Sequence, residues 1–429
     1  MNRRRLDRIQ LTSDSTRSLI GTSIGHFLND GANSLFPVVY PVLLQSYHVS
    51  IEFIGVLAAL YSLSSLVSSP FIGRRSDYNW SYPRLIPIGL VTVALGILGF
   101  SFTMVFFSGN ILDIGLVAFT LLAGFGSSFY HPIAAAILNE TWSLESRGRA
   151  MGINGSMGGA GTLAFPIITV GLIVLYGIAS LTLIVIAFFL LSVIIYSIMR
   201  RMSVTRNRVT NGAGENLGDQ GEKNNKKSGA VPLRIVLSAI ATLTLAGFFR
   251  SLLTQGVIWF LPTYLTSVSK INYQFVGTAL IPYSAAAMIG QPLFGSLADR
   301  YGRRAMVALT TACCVLSVLS LSFSSTNFLL TELSLFAFGL FSYTSFPLFL
   351  GLSGLIAPKG SVTQANSIVW GFGMIGGGAV GPAIIGALSG SDLLGSLNLA
   401  FLVAAGIGSV SLAFLPLVPN ARKNVNLGR

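Results

Sequence analysis

The stretch Gly295-Ser-Leu-Ala-Asp299-Arg300-Tyr-Gly302-Arg303-Arg304 decides the fold, because it joins two long apolar segments and has a counterpart earlier in the chain. The counterpart is Pro70-Phe-Ile-Gly73-Arg74-Arg75-Ser-Asp77. Pro292, Gly295 and Asp299 follow its proline, glycine and aspartate at one constant offset. A charged segment that recurs at about half the length of a 429-residue chain indicates two homologous membrane halves, an arrangement typical of secondary transporters.

The composition is that of a membrane protein. Hydrophobic residues make up 52% of the chain and charged residues 10%, whereas soluble domains carry about 25% charged residues. Apolar segments of about 20 residues, the length at which a helix spans a bilayer, recur from end to end. The sequence therefore predicts an all-α membrane protein with twelve transmembrane helices, at residues 19–46, 51–73, 85–107, 111–138, 150–173, 177–199, 235–262, 272–298, 305–324, 327–356, 363–388 and 393–416.

The distribution of positive charge predicts the orientation in the membrane. Of the 27 lysines and arginines, all but Lys270 and Arg250 fall in the two tails, in every second loop or in the central polar stretch. This is the positive-inside pattern, so the net charge of +13 indicates a membrane and not a nucleic-acid partner. Both termini are predicted to be cytoplasmic, and the plasma membrane is the expected location.

The repeat divides the chain into two halves and a linker. Gly124 and Pro132 match Gly339 and Pro347 at a common offset, close to that of the charged segments. We predict an N-terminal six-helix half at 1–199, a cytoplasmic linker at 200–234 and a C-terminal six-helix half at 235–429. Parallel repeats of this kind are related by an axis along the membrane normal, with a central cavity between them.

Four stretches of sequence resemble a known family. The pattern G-x-x-x-D-R-x-G-R-R at 295–304 is similar to the loop signature of the major facilitator superfamily. His26-Phe27-Leu28-Asn29-Asp30, Gly126-Ser-Ser-Phe-Tyr-His131-Pro132 and the degenerate copy that runs from Asp77 through Arg84 resemble the fosmidomycin-resistance branch, a drug-efflux branch. The resemblance implies a transporter that works by alternating access, as a monomer.

The repeated motif is expected to govern which side of the membrane the cavity opens to. A glycine near a helix end permits close approach of a neighbouring helix, and the aspartate four residues later lies on the same helical face. Contacts of such a carboxylate with arginines or with a helix N-terminus would form only when the cytoplasmic side is closed. The candidate gating residues are Gly73, Asp77, Arg84, Gly295, Asp299, Arg300 and Arg303.

Ionisable side chains at membrane depth are costly and are functional candidates by default. His26, Asn29, Asp30, Asn33 and Pro37 form one polar stripe on the first helix, which must face the cavity or another helix. Asp30 is predicted to carry a proton, with a structural hydrogen bond as the alternative.

His131 lies beside Pro132 in the fourth helix. It is predicted to share that proton or to bind substrate, and a helix-packing hydrogen bond is the equal alternative.

Arg250 lies inside the seventh helix and cannot readily lose its proton. It is expected to meet an anion, either a substrate or Asp30, unless it snorkels toward the cytoplasmic interface. The candidate substrate-binding residues are Arg250, Asn33, His26, Tyr283 and Trp370. The aromatic residues among them are as readily packing residues, and His26 is as readily structural.

No nucleotide-binding loop, metal-ligand cluster or nucleophile triad is apparent, so neither an enzyme nor a bound cofactor is predicted. The leading hypothesis is a secondary active transporter that couples protons to the efflux of small compounds, with anions as candidates. Proton-linked uptake of a metabolite, such as an organic acid or a sugar, is the first alternative. A non-transporting membrane sensor is the second. The expected partners are a small-molecule substrate, protons and the lipid bilayer.

Overall fold

The computed structural model describes residues 13–78, 82–202, 233–324, 327–357, 362–392 and 395–419, and every regular element within these ranges is helical. The α-helices are α1 (Ser13–Ser46), α2 (Ile51–Tyr78), α3 (Tyr82–Phe106), α4 (Gly109–Ser127), α5 (Tyr130–Thr141), α6 (Leu144–Tyr176), α7 (Leu181–Met199), α8 (Leu233–Ser267), α9 (Tyr273–Ala279), α10 (Ile281–Tyr301), α11 (Arg303–Phe323), α12 (Phe328–Ser342), α13 (Ser345–Ile356), α14 (Val362–Ile368), α15 (Gly376–Gly390) and α16 (Leu397–Phe414).

These helices form twelve spans in the described chain, as the sequence predicts. The fourth span is α4 with α5, the eighth α9 with α10, the tenth α12 with α13, and the eleventh α14 with α15. Short turns interrupt the first three of these, and a π-helical turn, Val369–Ile375, interrupts the eleventh. Nine helices of the described chain are long and apolar enough to cross a membrane. The first span is not among them, because its polar stripe lowers its hydropathy.

Most of the repeated motif is helical, and in its second copy the chain turns only at Gly302, between α10 and α11. Gly73 lies within α2, which continues to Tyr78, and Gly295 lies within α10, which continues to Tyr301. The predicted halves correspond to α1–α7 and α8–α16. Most of the predicted linker, residues 203–232, lies outside the described residues.

The two halves share a core at the end of the bundle that the charge pattern assigns to the outside. The largest hydrophobic cluster there joins residues of both halves. Tyr40 of α1 stacks on Trp259 of α8, with ring centroids 6.0 Å apart, and the Tyr273 hydroxyl donates to the Val38 carbonyl at 2.9 Å. In addition, α2 and α15 cross so closely that a Cβ on Gly386 would lie 2.9 Å from the Gly55 Cα.

At the predicted cytoplasmic end the halves are separate. One buried cluster, around Phe294, Met306 and Leu348, belongs to the second half, and a small one around Trp142 belongs to the first. A Cβ built on Gly152 of α6 or Gly295 of α10 would meet no described atom of a neighbouring helix within 4 Å. The described bundle is therefore closed at the predicted outer end and open at the predicted inner end.

Candidate functional site

Three ionisable side chains of the first half meet near the middle of the bundle, and we call them the His–Asp cluster: His26 and Asp30 of α1 and His131 of α5. His26 Nε2 lies 3.1 Å from Asp30 Oδ2, and His131 Nε2 lies 3.7 Å from Asp30 Oδ1. The His131 side chain is 62% exposed, against 27% for Asp30 and 13% for His26. His131 is therefore the member through which water and solutes reach the cluster.

Local structure explains this meeting. His26 and Asp30 are four residues apart on α1, which places them on one face of the helix. The break after Ser127 restarts the fourth span at Tyr130, so His131 occupies the first turn of α5, beside α1. The third wall is α6, where Gly158 leaves room for the pair. A Cβ at Gly158 would lie 2.6 Å from His26 Nε2 and 2.7 Å from Asp30 Oδ2.

A chain of hydrogen bonds fixes the orientation of His26. The Tyr130 hydroxyl donates to the Thr22 carbonyl at 2.8 Å and accepts from Asn154 Nδ2 at 2.9 Å. His26 Nδ1 in turn lies 2.8 Å from the Asn154 carbonyl oxygen and 3.0 Å from Asn154 Oδ1. On the other side, Asn29 Nδ2 donates to Asp30 Oδ1 at 3.1 Å.

These contacts determine which nitrogen of His26 carries hydrogen. A backbone carbonyl only accepts hydrogen bonds, so the 2.8 Å contact with Asn154 requires a hydrogen on Nδ1. Nε2 of a neutral His26 would then direct a lone pair at Asp30 Oδ2, 3.1 Å away, and two acceptors repel at that distance. One more proton must lie between them, on the imidazole or on the carboxylate.

The cluster has two chemical capacities. It can hold and release a proton, because a carboxylate and two imidazoles are in contact with one another and one imidazole is exposed. Its residue types also suit a divalent metal ion, since the ligand atoms of all three lie within 4.8 Å of one another.

A small pocket of about 30 Å³ lies between the two halves, next to the cluster on the side of the closed end. Asn33 of α1, Trp259 of α8 and Tyr283 of α10 contribute to its lining, with Tyr343 from the turn between α12 and α13. Tyr283 is 4% exposed, and its ring lies beside that of Tyr343, with centroids 6.0 Å apart. Asn33 and Tyr283, two of the candidate substrate-binding residues, thus line one pocket.

Arg250 and Trp370 lie away from this pocket. Arg250 is fully buried within the second half. Its hydrogen bonds go to neutral oxygens, so the expected anionic partner is not what the structure shows. The acceptors are Ser345, Thr310, Thr311, Phe341 and Thr344. Trp370, in the π-helical turn, is half-buried and packs against the inner core of the second half.

The candidate gating residues lie at the open end. Asp299 pairs with Arg303 at 3.4 Å, and Arg303 also donates to the Gly351 carbonyl at 2.6 Å. Arg300 lies over the ring of the adjacent Tyr301, and Arg84 is exposed. Gly73 lies in the last turns of α2. The side chain of Asp77 lies outside the described part of the structure.

Sequence reasoning gave too little weight to Asn154, Tyr130 and Gly158. Each supports the cluster without carrying its charge. The available signal was the run from Gly148 to Gly161, in which Asn154 is the one amide side chain among six glycines. Such a glycine-rich segment predicts close helix contact. Nothing local in the sequence indicated that α1 is the helix contacted.

Comparison with known proteins gives a consistent family. The family model described as Major Facilitator Superfamily matches residues 22–275 and 243–429. The Fosmidomycin resistance protein of Escherichia coli (strain K12) is 22% identical over 94% of this chain and 93% of its own length. The Multi-drug resistance efflux pump PmrA homolog of Lactococcus lactis subsp. lactis (strain IL1403) is 26% identical, with coverages of 87% and 89%.

Among solved structures, the D-xylose-proton symporter has the same fold. It superposes with a TM-score of 0.76 at 12% identity, over 96% of this chain and 98% of the symporter. At that identity the likeness concerns the fold alone.

Proposed function

We propose that this chain exports small molecules in exchange for protons. The chain belongs to the major facilitator superfamily and is therefore a secondary transporter and not an enzyme. Export is supported by the names of two relatives, one a resistance protein and one an efflux pump. We place the protein in the plasma membrane as a monomer, with residues 1–199 and 235–429 as its two moving halves and 200–234 as the linker between them.

The observation that carries proton coupling is the hydrogen-bond pattern of the His–Asp cluster. The Nδ1 hydrogen of His26 is committed to Asn154, so the contact between His26 Nε2 and Asp30 at 3.1 Å holds one further proton. This proton can leave, because His131 is in contact with Asp30 and is 62% exposed. The open end of the bundle is the predicted cytoplasmic end, so the proton is released there.

Alternating access turns this release into exchange. With the inner end open, the cluster loses its proton to the cytoplasm and the cavity takes up cargo. After the halves rock over, the same cluster faces outward, takes up a proton and lets the cargo go. Exchange requires that the protein rarely changes between its inward-open and outward-open forms while it carries neither cargo nor the proton. The unpaired Asp30 carboxylate supplies that restraint, since closing the inner end without cargo beside Asp30 would enclose an uncompensated charge, whereas bound cargo covers the carboxylate.

Cargo contacts are assigned to the pocket beside the cluster. Asn33 offers an exposed amide there, and Tyr283 a buried hydroxyl. His26 contributes through Asp30 and not directly, because both of its ring nitrogens are engaged. Arg250 is assigned no cargo contact, because its guanidinium is fully buried. We therefore keep small anions as one cargo class and do not restrict the cargo to them.

Closure of the inner end is assigned to the repeated motif. In the open form Asp299 is 72% exposed and its ion pair with Arg303 stays on neighbouring turns of one half. The open space beside Gly295 is where a helix of the first half would dock. By the sequence repeat, the equivalent residues of the other half are Gly73, Asp77 and Arg84.

The test uses purified protein in liposomes that enclose a pH-sensitive dye, with fosmidomycin as the phosphonate probe and a panel of organic-acid anions and neutral drugs. Wild type, Asp30→Asn and the matched control Asp392→Asn, an exposed loop position, are compared under an imposed proton gradient. We expect cargo-dependent proton movement opposite in direction to cargo, lost in Asp30→Asn and kept in Asp392→Asn.

Two results would contradict the proposal. Proton movement in the same direction as cargo would establish uptake in place of export. Full proton coupling in Asp30→Asn would remove the cluster from the mechanism. If no compound in the panel moves while a control transporter in the same liposomes works, the sensor alternative becomes the better interpretation.

A further inference from the structure

The guanidinium of Arg250 has every donor in use. Arginine carries five N–H donors in a rigid fork. In α8 it makes five hydrogen bonds, all to uncharged oxygens of the second half. Nε donates to Ser345 Oγ at 2.8 Å, Nη1 to the hydroxyls of Thr310 and Thr311, and Nη2 to the Phe341 carbonyl at 2.7 Å and Thr344 Oγ1 at 2.8 Å. Such complete satisfaction within one half leaves no donor for a solute.

Three of these five acceptors surround the break in the tenth span. There α12 ends at Ser342 and α13 begins at Ser345. The Phe341 carbonyl belongs to the last turn of α12, where carbonyls lack partners within the helix. Arg250 supplies a partner for it and binds Thr344 and Ser345 directly. The break is thereby tied to α8 and, through the two threonines, to α11.

The first half has the same geometry with opposite charge. The break of the first half lies between α4, which ends at Ser127, and α5, which begins at Tyr130. In sequence, Ser127 precedes Ser342 by the same number of residues as Tyr130 precedes Ser345. The ends of α1 and α8, at Ser46 and Ser267, are separated in sequence by nearly the same distance as Asp30 and Arg250. Each half therefore places one charge at nearly the same level of its first helix, beside the break of its fourth.

We propose that Arg250 is a positioning residue, which holds the break of the tenth span in one geometry at every stage of transport. Arg250 stays charged at any physiological pH, so its hydrogen bonds to the break do not respond to protons. Tyr343, in that turn, lines the central pocket and is thereby kept in place. The contrast with the first half, whose break borders the His–Asp cluster, rests on the proposed proton coupling. We call the break of the first half the switch, because it changes with protonation, and the break of the second half the anchor, because it keeps one geometry.

Hydrogen–deuterium exchange on the full-length protein in lipid nanodiscs, at pH 6 and pH 8, tests this assignment. In wild type we expect the amides of 341–345 to exchange slowly and equally at both pH values, whereas those of 128–131 exchange faster at one of them. Arg250→Lys, which keeps the charge but loses the fork, should speed exchange at 341–345 at least tenfold and leave 128–131 unchanged. Arg149→Lys, at an exposed position, is the matched control and should change neither.

Because Arg250→Lys can fail to fold, Ser345→Ala serves as the milder variant, with an expected increase of about threefold at 341–345. Unchanged exchange at 341–345 in both variants, or a pH dependence there equal to that at 128–131, would overturn the assignment. The same experiment tests the proposed proton coupling independently of the role of Arg250. If 128–131 shows no pH dependence while Arg250→Lys still releases 341–345, Arg250 remains the anchor and the cluster is not the switch.

Discussion

Gly158→Ala is expected to abolish proton coupling without removing any polar group. The added methyl carbon would lie 2.6 Å from His26 Nε2 and 2.7 Å from Asp30 Oδ2, where ordinary contact begins at 3.4 Å. The two side chains must therefore retreat from α6 by about 0.7–0.8 Å. Their contact is 3.1 Å, and a contact that reaches about 3.6 Å is no longer a hydrogen bond, so a displacement that differs between the two side chains by about 0.5 Å breaks it.

The size of the effect follows from the bond that is lost. A hydrogen bond to a charged group contributes about 1.5–3 kcal/mol, and each 1.4 kcal/mol is a factor of ten. The paired, proton-holding form of the cluster should become about ten to a hundred times less populated. Cargo-driven proton flux, measured with a pH-sensitive dye in liposomes, should fall by at least tenfold.

Gly155→Ala is the matched control, because a Cβ at Gly155 would meet no described atom of a neighbouring helix within 4 Å. It lies one turn away on the same helix and adds the same methyl group. We expect it to retain wild-type flux and to leave the thermal stability in detergent unchanged or slightly higher, since alanine is the better helix former. Wild-type proton flux in Gly158→Ala would refute the reasoning, and an equal loss in both variants would show a general defect of α6.

Three more predictions concern other parts of the molecule. Gly386→Leu should prevent α2 and α15 from closing the outer end, because even a Cβ there would lie 2.9 Å from Gly55. A cysteine placed at Asn33 in a variant lacking Cys313 and Cys314 should then react at least tenfold faster with an impermeant thiol reagent from outside, whereas Gly406→Leu should not change that rate. Removing divalent metals with EDTA should leave transport unchanged, and a loss restored by zinc would instead assign the His–Asp cluster to a metal. Asp299→Asn should lower stability by no more than about 0.5 kcal/mol, as expected for an exposed ion pair, yet slow transport by shifting the balance between open and closed inner ends. Equal transport rates would remove Asp299 from the gate.

The fold was predictable from sequence because the bilayer restricts it. A spanning helix needs about 20 apolar residues, and the positive-inside rule assigns each loop a side, so twelve spans follow without tertiary information. The interruptions of the fourth, eighth, tenth and eleventh spans were not predicted as breaks. A break in a helix that is protected by its neighbours leaves little trace in hydropathy, since the residues at Ser128 and Thr344 also occur within intact membrane helices.

The site was predictable to the extent that its residues are neighbours in sequence. His26 and Asp30 follow helical spacing, so their pairing could be expected, and the cost of charge in a membrane singled out His131. The partners of Arg250 could not be expected in the same way. Hydroxyl groups from α11 and from the break of the tenth span stabilise its charge, and single threonines and serines in apolar helices carry no sign of a common target. The same reasoning that correctly identified a costly buried charge therefore predicted the wrong kind of partner.

The closed outer end also has an electrical consequence. Water that enters the inner opening would bring it near the cytoplasmic potential, so most of the membrane voltage would fall across the thin layer around Tyr40 and Trp259. In the proposed transport cycle the His–Asp cluster then lies on the cytoplasmic side of that drop, and on the external side once the halves have rocked over. Any net charge on the cluster crosses nearly the whole field during switching, at about 2.3 kcal/mol per 100 mV. The membrane voltage therefore acts on the conformational change itself, and it does so without any proton moving through the seal.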